Sequence, residues 1–368
     1  MNNFYTANIE MYKYVHQDYE SSNHYVDYIL KEAKNNKNSI KTDKDNFLLI
    51  TTLLWEPHLL NDFNLYKKLF ESFTRKKIKT VLIINSYYKE MDLSNLKTEI
   101  YYIDYFLWRT YDKIINQKKC KFSSFWNKDA TKFLFLTGKP HYKNRIRLLY
   151  KIIKKDLIKK CIWSFFIKEE TQYKCRQVLS DISDNEFNEM FKYYNNPDQA
   201  NIMFQLTRQN LHYGGIPYDS NMYQNSLFRI IAETTLDVKI YSPWLTEKTF
   251  ITILNNIPFI MAGSDPGSLN KLKKIGFKTF ENFLPVTDYD NIENDEERLE
   301  AIITNTDFWI NHMKNKEEIQ EDINNNYNRL IELAQENKVM LEDICKKYLI
   351  NPIRIGEICT TYDILGNE

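Results

Sequence analysis

The sequence predicts an α/β protein made of two strand–helix halves and a helical C-terminal extension. Its 368 residues exceed the roughly 150 residues of one typical domain. Short apolar runs alternate with amphipathic patterns on both sides of a polar, basic stretch at residues 116–132. This alternation is typical of parallel sheets that are covered by helices on both faces.

The first half contains three apolar runs that predict strands: Phe47–Trp55, Thr80–Tyr88 and Glu99–Phe106. A helical pattern at Leu59–Phe73 separates the first two runs. The segment before them is polar and aromatic, and we expect a helical stretch around Tyr25–Ala33 there.

The second half repeats the alternation and then becomes helical from Glu293 onward. In that last part, apolar residues recur with the 3.6-residue period of a helix between Ile319 and Ala334. The predicted strands are Lys132–Gly138, Cys161–Phe166, Leu227–Thr235 and Pro258–Gly263, and the predicted helices between them include Tyr142–Lys155, Glu247–Asn255 and Gly267–Ile275.

Composition narrows the functional classes. The chain has 50 Lys+Arg and 49 Asp+Glu, so the overall charge does not indicate an electrostatic nucleic-acid binder. Its five scattered cysteines predict reduced thiols without a zinc cluster. No secretory signal is visible, and no apolar run approaches the ~20 residues of a membrane helix. We therefore expect no membrane span and a cytoplasmic location, the host-cell cytoplasm if the protein is viral.

Basic residues cluster at the opening of the helix predicted after the strand that ends at Leu136. Positive charge near a helix N-terminus is unfavourable by about 0.3–1 kcal/mol per group, and a bound anion such as a phosphate would compensate for it. The alternative is a solvated basic face. The residues concerned are Lys139, His141, Lys143, Arg145 and Arg147.

A second candidate segment begins at Thr246, which is a favourable N-cap residue. Glu247 suits the helix dipole, whereas Lys248 would need an anion to compensate for its position. The alternative is an ordinary surface pair. Upstream, Glu233 ends an apolar strand, where a carboxylate should face a cleft or be paired in a structural salt bridge.

Together these segments resemble the nucleotide-sugar glycosyltransferases of the GT-B fold, and most closely their fucosyltransferase-like and phage- or giant-virus-encoded members. The likeness covers roughly Lys132–Thr304 and is strongest in FRIIAETTLDVKIYSPWLTEKTFITILNNIPFIMAGSDPGSLNKLKKIGFKTF. The positions that match the family pattern are Glu233, Thr246, Glu247, Lys248, Pro258 and Gly267.

The resemblance implies two Rossmann-like domains that face a cleft. Residues 1–128 would bind the acceptor, residues 129–310 the nucleotide-sugar donor, and residues 311–368 would pack back across both domains. Glu247 would hold the ribose, and Lys248 and Arg145 the diphosphate. The full donor-binding set would be Lys139, Arg145, Glu233, Tyr241, Thr246, Glu247 and Lys248.

The implied activity is transfer of a sugar from a nucleotide-diphosphate sugar to an acceptor hydroxyl, on a glycan or on a modified base of phage DNA. The resemblance implies no metal and no further cofactor. For the catalytic base we expect Glu56 or Asp104, which follow the first and third predicted strands. The alternative is a non-catalytic binding or scaffold protein with the same fold.

The stretch Asp288–Asp290 reads DYD, which resembles the metal–diphosphate signature of the other glycosyltransferase fold, GT-A. In that fold the signature follows a strand near the sheet centre. Here it lies late in a polar loop, and we expect it to be a solvated acidic turn.

Overall fold

The structure is a computed structural model that shows a mixed α/β protein, as the sequence predicts. Contacts divide the chain into two units. The first contains residues 1–108, 238–241 and 334–368, and the second contains residues 109–237 and 242–333. The residues that the structure describes are 2–8, 40–42, 47–52, 79–85, 98–104, 125–137, 143–165, 169–194, 212–213, 216–217, 220–233, 245–263 and 266–348, with the single positions 71, 74, 75 and 94.

In the first unit, the described strands form one five-stranded sheet. They are β1 (Asn2–Asn8), β2 (Ile40–Thr42), β3 (Phe47–Thr52), β4 (Lys79–Asn85) and β5 (Glu99–Ile103). Their order in the sheet is β2-β1-β3-β4-β5. Strands β1, β3, β4 and β5 run parallel, and β2 pairs antiparallel with β1 at the edge.

The three strands predicted in this half are confirmed as β3, β4 and β5, and each begins within one residue of its predicted start. Strand β1 was not predicted, because NNFYTAN contains no apolar run and its pairing with β3 is a tertiary interaction. The helix expected around Tyr25–Ala33 lies outside the described residues, as does almost all of the one expected at Leu59–Phe73.

In the second unit, four described strands form an entirely parallel sheet. They are β6 (Phe133–Thr137), β7 (Cys161–Phe165), β10 (Arg229–Ala232) and β11 (Phe259–Ala262), and a separate two-stranded ladder joins β8 (His212–Tyr213) to β9 (Ile216–Pro217). The order in the four-stranded sheet is β11-β10-β6-β7. Every residue of β6, β10 and β11 is buried, which is the pattern of parallel strands covered on both faces.

The described helices agree with the predicted ones to within one or two residues where both exist. They are α1 (Lys143–Lys154), α2 (Glu169–Val178), α3 (Asp184–Tyr194), α4 (Ser220–Gln224), α5 (Glu247–Leu254), α6 (Ser268–Lys274), α7 (Asp295–His312) and α8 (Lys316–Tyr348). None of these described helices combines the length and apolar character needed to cross a membrane.

Aromatic rings join the second sheet to α7. Phe228, just before β10, stacks on Phe133 of β6 with ring centroids 5.5 Å apart. Trp309 of α7 meets Phe228 edge-on at 5.1 Å, and its indole N–H donates to the carbonyl of Phe283. These contacts bury large apolar area, so they fix α7 against the sheet.

Helix α8 buries the apolar stripe that its sequence predicts, including Ile319, Ile323, Leu330 and Ala334. The boundary between the two units falls inside this helix, after Leu333. The domain limits predicted at residues 128 and 310 stay predictions.

Candidate functional site

The candidate site begins at the carboxyl edge of the parallel sheet in the second unit. Pairing matches Ala232 of β10 with Ala262 of β11. Arg229 of β10 pairs with Leu134 of β6, and each of these strands ends three residues further on, at Ala232 and Thr137. Thr137 in turn pairs with Phe165, the last residue of β7. The strands therefore end together, and parallel α/β sheets bind ligands at this edge.

Glu233 is the first residue after β10 and is 2% exposed. Its backbone N–H still bonds to the carbonyl of Ala262, so its position is fixed by the sheet. One carboxylate oxygen accepts from the Thr246 N–H at 2.9 Å and the Thr249 hydroxyl at 2.6 Å, and the other accepts from the Thr246 hydroxyl at 2.5 Å. All three of these donors are uncharged, so they stand in place of the salt bridge considered from the sequence.

Thr246 caps α5, as its sequence predicts. Its side-chain oxygen accepts from the backbone N–H of Lys248 at 3.4 Å. Glu247 and Lys248 then open the helix, and the Lys248 ammonium contacts both the Thr246 hydroxyl at 3.1 Å and the Glu247 carboxylate at 2.8 Å. The two charged side chains are only 12% and 14% exposed, so this is a recessed ion pair rather than a surface one.

Arg229 is a charged residue of this site that the sequence analysis missed. It begins β10, is almost fully buried, and donates through Nη1 to Tyr223 at 2.6 Å and to Thr252 at 3.0 Å. The same nitrogen lies 3.5 Å from the carbonyl of Lys248. Arg229 and Glu233 are four residues apart on one strand face, so both reach α5. An arginine in an otherwise apolar strand was the signal available in the sequence.

Arg145 lies in the first turn of α1 and is 3% exposed. Helix α1 follows β6, whereas α5 follows β10 and the strands β6 and β10 are neighbours in the sheet. Arg145 and Lys248 thus occupy equivalent places, each within one turn of a helix start that follows the same sheet edge.

Two other cations of the α1 cluster are neutralised by protein carboxylates. Lys143 pairs with Asp295 at 3.2 Å. Arg147 makes a bidentate pair with Asp181, at 2.8 and 3.1 Å, and contacts Glu296 at 2.8 Å. Hydrogen bonding to Arg147 lowers the pKa of Asp181. Protein carboxylates therefore compensate for the charges of these two residues, in part because the acidic first turn of α7 lies against α1. A bound anion at the rest of the cluster stays a prediction.

The DYD stretch is not the solvated turn that we expected. Asp290 is 3% exposed, accepts from the backbone N–H of Leu269 at 2.7 Å, and receives the Gly267 N–H on its own carbonyl at 3.0 Å. Tyr289 is also buried, and its hydroxyl accepts from the N–H of Met261 in β11. Burial raises the pKa of Asp290 to about 6. Because Tyr289 is buried, the turn packs against the interior of the protein, and Asp290 binds two backbone N–H groups at the start of α6.

Of the remaining predicted residues, the structure describes Asp104. Asp104 follows β5 in the first unit, is half-buried, and donates its backbone N–H to Asn337 at 3.2 Å. Glu56, Lys139 and Tyr241 lie outside the described residues. Within the described part of the chain, no group of three or more His, Cys, Asp or Glu side chains is arranged to hold a metal ion.

Comparison with known proteins leaves the site to be interpreted from its chemistry. No protein-family model matches the chain, and no curated protein sequence matches it significantly.

Proposed function

We propose that the chain is a nucleotide-sugar glycosyltransferase of the GT-B fold, with two Rossmann-like domains and the donor bound in the C-terminal one. The observation that carries the proposal is the recessed Glu247–Lys248 pair at the start of α5, anchored by Glu233 at the carboxyl end of β10. A carboxylate beside an ammonium at a helix start suits a ligand that carries both ribose hydroxyls and phosphates.

In this proposal, binding of the nucleotide sugar breaks the ion pair between Glu247 and Lys248 and gives each side chain a partner on the ligand. In the structure the Lys248 ammonium contacts Glu247 at 2.8 Å. The diphosphate takes over the ammonium, and the released Glu247 carboxylate accepts hydrogen bonds from the ribose. Arg145 supplies the second positive charge, because its helix follows the strand next to β10. Lys139 and Tyr241 complete the proposed set.

The proposed reaction moves the sugar in one displacement. The acceptor hydroxyl oxygen attacks the anomeric carbon, the bond from that carbon to the diphosphate oxygen breaks, and a carboxylate takes the hydroxyl proton. Arg145, Lys248 and the helix-start amides stabilise the charge of the departing diphosphate. Glu56 or Asp104 serves as the base, and the acceptor is a glycan or a hydroxylated base of phage DNA.

A panel of UDP, GDP, CDP and ADP in a thermal-shift assay tests the proposal. A ligand at a hundredfold excess over its Kd stabilises the fold by about 2.7 kcal/mol, which is easily detected. The proposal predicts a shift with at least one diphosphate, and hydrolysis of the matching sugar nucleotide that is lost in Lys248→Ala. Lys143→Ala is the matched control, since that lysine already pairs with Asp295. Absence of any shift would contradict the proposal.

A non-catalytic binding protein of the same fold is the second candidate. It is favoured by the carboxylates that neutralise Lys143 and Arg147, because they reduce the positive charge that α1 offers to a phosphate. This candidate predicts no thermal shift with any of the four diphosphates and no hydrolysis of sugar nucleotides.

A further inference from the structure

Around Lys248, the chemical nature of each buried group determines which partner of a hydrogen bond donates and which accepts. An ionised carboxylate only accepts, an ammonium only donates, and a hydroxyl has one proton to give and lone pairs to receive. Thr246 is 2% exposed and its oxygen lies 2.5 Å from Glu233 and 3.1 Å from the Lys248 ammonium. The hydroxyl proton must therefore point to Glu233, and the oxygen lone pairs must face Lys248.

We propose that Glu233 and Thr246 are positioning residues for Lys248: the Thr246 hydroxyl donates its one hydrogen bond to the Glu233 carboxylate, so its oxygen only accepts and holds the Lys248 ammonium at the proposed donor site. The proposal rests on the proposed function for the identity of that site. It assigns Glu233 no contact with the donor, because its carboxylate oxygens are occupied by Thr246 and Thr249 and it is 2% exposed.

Two hydrogen bonds fix the backbone of Lys248. Its N–H donates to the Thr246 oxygen at 3.4 Å, and its carbonyl accepts from the Thr252 hydroxyl at 2.7 Å. Arg229 in turn donates to Thr252. The backbone is held at both ends, and the contacts with Thr246 and Glu247 restrain the ammonium itself.

Amine acylation measures this restraint directly and needs no ligand. An N-hydroxysuccinimide ester labels lysine side chains, and peptide mass spectrometry measures the labelling rate of each lysine. The rates are compared between the wild type and variants of Glu233, Thr246 and Thr249. Lys151 of α1 is an internal control, because its side chain is also 12% exposed and is held by Glu296 and Glu300. General loosening of the fold would raise the labelling of both lysines.

Glu233→Gln keeps the side-chain shape but presents an amide donor to Thr246, which reverses the hydrogen-bond direction. We expect Glu233→Gln and Thr246→Val to raise the Lys248 labelling rate about tenfold, the factor that corresponds to one lost hydrogen bond to a charged group. Thr246→Ser restores the hydroxyl and should restore the wild-type rate. Lys151 should be unaffected in all three variants.

Thr249→Val separates positioning from structure. It removes another buried hydroxyl bonded to Glu233, but that hydroxyl lies outside the path from Glu233 through Thr246 to Lys248. We expect reduced stability with an unchanged Lys248 rate. An equal rise in Thr249→Val and Glu233→Gln, or no rise in Glu233→Gln, would overturn the proposal.

Adding UDP, GDP, CDP or ADP to the same assay keeps the two proposals distinguishable. Protection of Lys248 by one of them supports the donor site. If no diphosphate protects Lys248 while the variants label as expected, the proposed function fails and the positioning role of Glu233 and Thr246 stands. If one diphosphate protects Lys248 while the Glu233 and Thr246 variants label like the wild type, the positioning role fails and the donor site stands.

Discussion

The Glu233 carboxylate binds Thr246 twice, through the backbone N–H at 2.9 Å and through the hydroxyl at 2.5 Å. Glu233 directly follows strand β10 and Thr246 caps helix α5, so this pair fixes α5 to the sheet. Buried charge is retained here because each carboxylate oxygen has a donor.

Glu233→Ala should lower the free energy of unfolding by about 2–4 kcal/mol, because three buried donors lose a charged acceptor. Urea denaturation measures the change. Glu189→Ala is the control: Glu189 pairs with Lys192 on the surface, and its removal should leave stability nearly unchanged. Equal effects of the two substitutions would contradict the anchoring role of Glu233.

Asp290→Asn should change how stability depends on pH. Burial raises the pKa of Asp290 to about 6, against 3.8 for the unfolded chain. The folded state therefore keeps this proton where the unfolded state has lost it, and stability falls as pH rises from about 4 to about 6. A difference of about two units corresponds to about 3 kcal/mol.

In Asp290→Asn that part of the pH dependence should disappear, and the fold should be more stable than the wild type at pH 7. Denaturation curves between pH 4 and pH 8 provide the measurement. Asp288→Asn, at the exposed end of the same turn, should leave the profile unchanged. A wild-type profile in Asp290→Asn would show that another group titrates.

Two buried asparagines should contribute strongly to stability. Asn305 of α7 bonds both the N–H and the carbonyl of Val286, each at 3.0 Å. Asn326 of α8 does the same for Lys278, at 2.7 and 2.9 Å. Each alanine substitution should cost about 2–3 kcal/mol, because two backbone groups lose their partners.

Chemical denaturation checks this prediction, with Asn324→Ala as the control. Asn324 lies on α8 near Asn326, but it is exposed and accepts a hydrogen bond from the exposed side chain of Gln320. If Asn324→Ala lowered the free energy of unfolding as much as Asn326→Ala, the hydrogen bonds of Asn326 to the Lys278 backbone would not be the cause of the loss.

Gly276→Ala should destabilise the second unit by about 1–3 kcal/mol from its backbone conformation alone. Gly276 has φ +97° and follows α6, where the N–H of Phe277 returns to the carbonyl of Leu272 as in a Schellman motif. An added Cβ would also lie 2.8 Å from Nε of Arg329. A melting temperature equal to that of the wild type would contradict both reasons.

The fold of the second unit was largely predictable because its strands are short apolar runs bounded by turns and helix caps. Thr246, Glu247 and Lys248 were found from local rules for helix starts. Strand β1 was missed because it is polar and depends on pairing with β3. Arg229 and the burial of Asp290 were missed because tertiary contacts, with Tyr223 and Leu269, determine them.

The basic cluster of α1 illustrates the same limit. Its cations oppose the helix dipole, and the sequence left two explanations open, a bound anion and a solvated basic face. The carboxylates that pair with Lys143 and Arg147 come from residues more than thirty positions away, at Asp181, Asp295 and Glu296. Local charge patterns do not reveal such partners.

Isothermal titration calorimetry with UDP, GDP, CDP and ADP tests most directly whether Arg145 and Lys248 hold one diphosphate. Binding is measured for the wild type, for Arg145→Lys, for Lys248→Ala and for the double variant. Lys143→Ala is the control. If Arg145 and Lys248 hold one diphosphate, Lys248→Ala weakens binding at least about tenfold, Arg145→Lys weakens it through its lost bidentate contact, and Lys143→Ala binds like the wild type. A wild type that binds none of the four diphosphates, or a Lys248→Ala variant that binds with wild-type affinity, would contradict it.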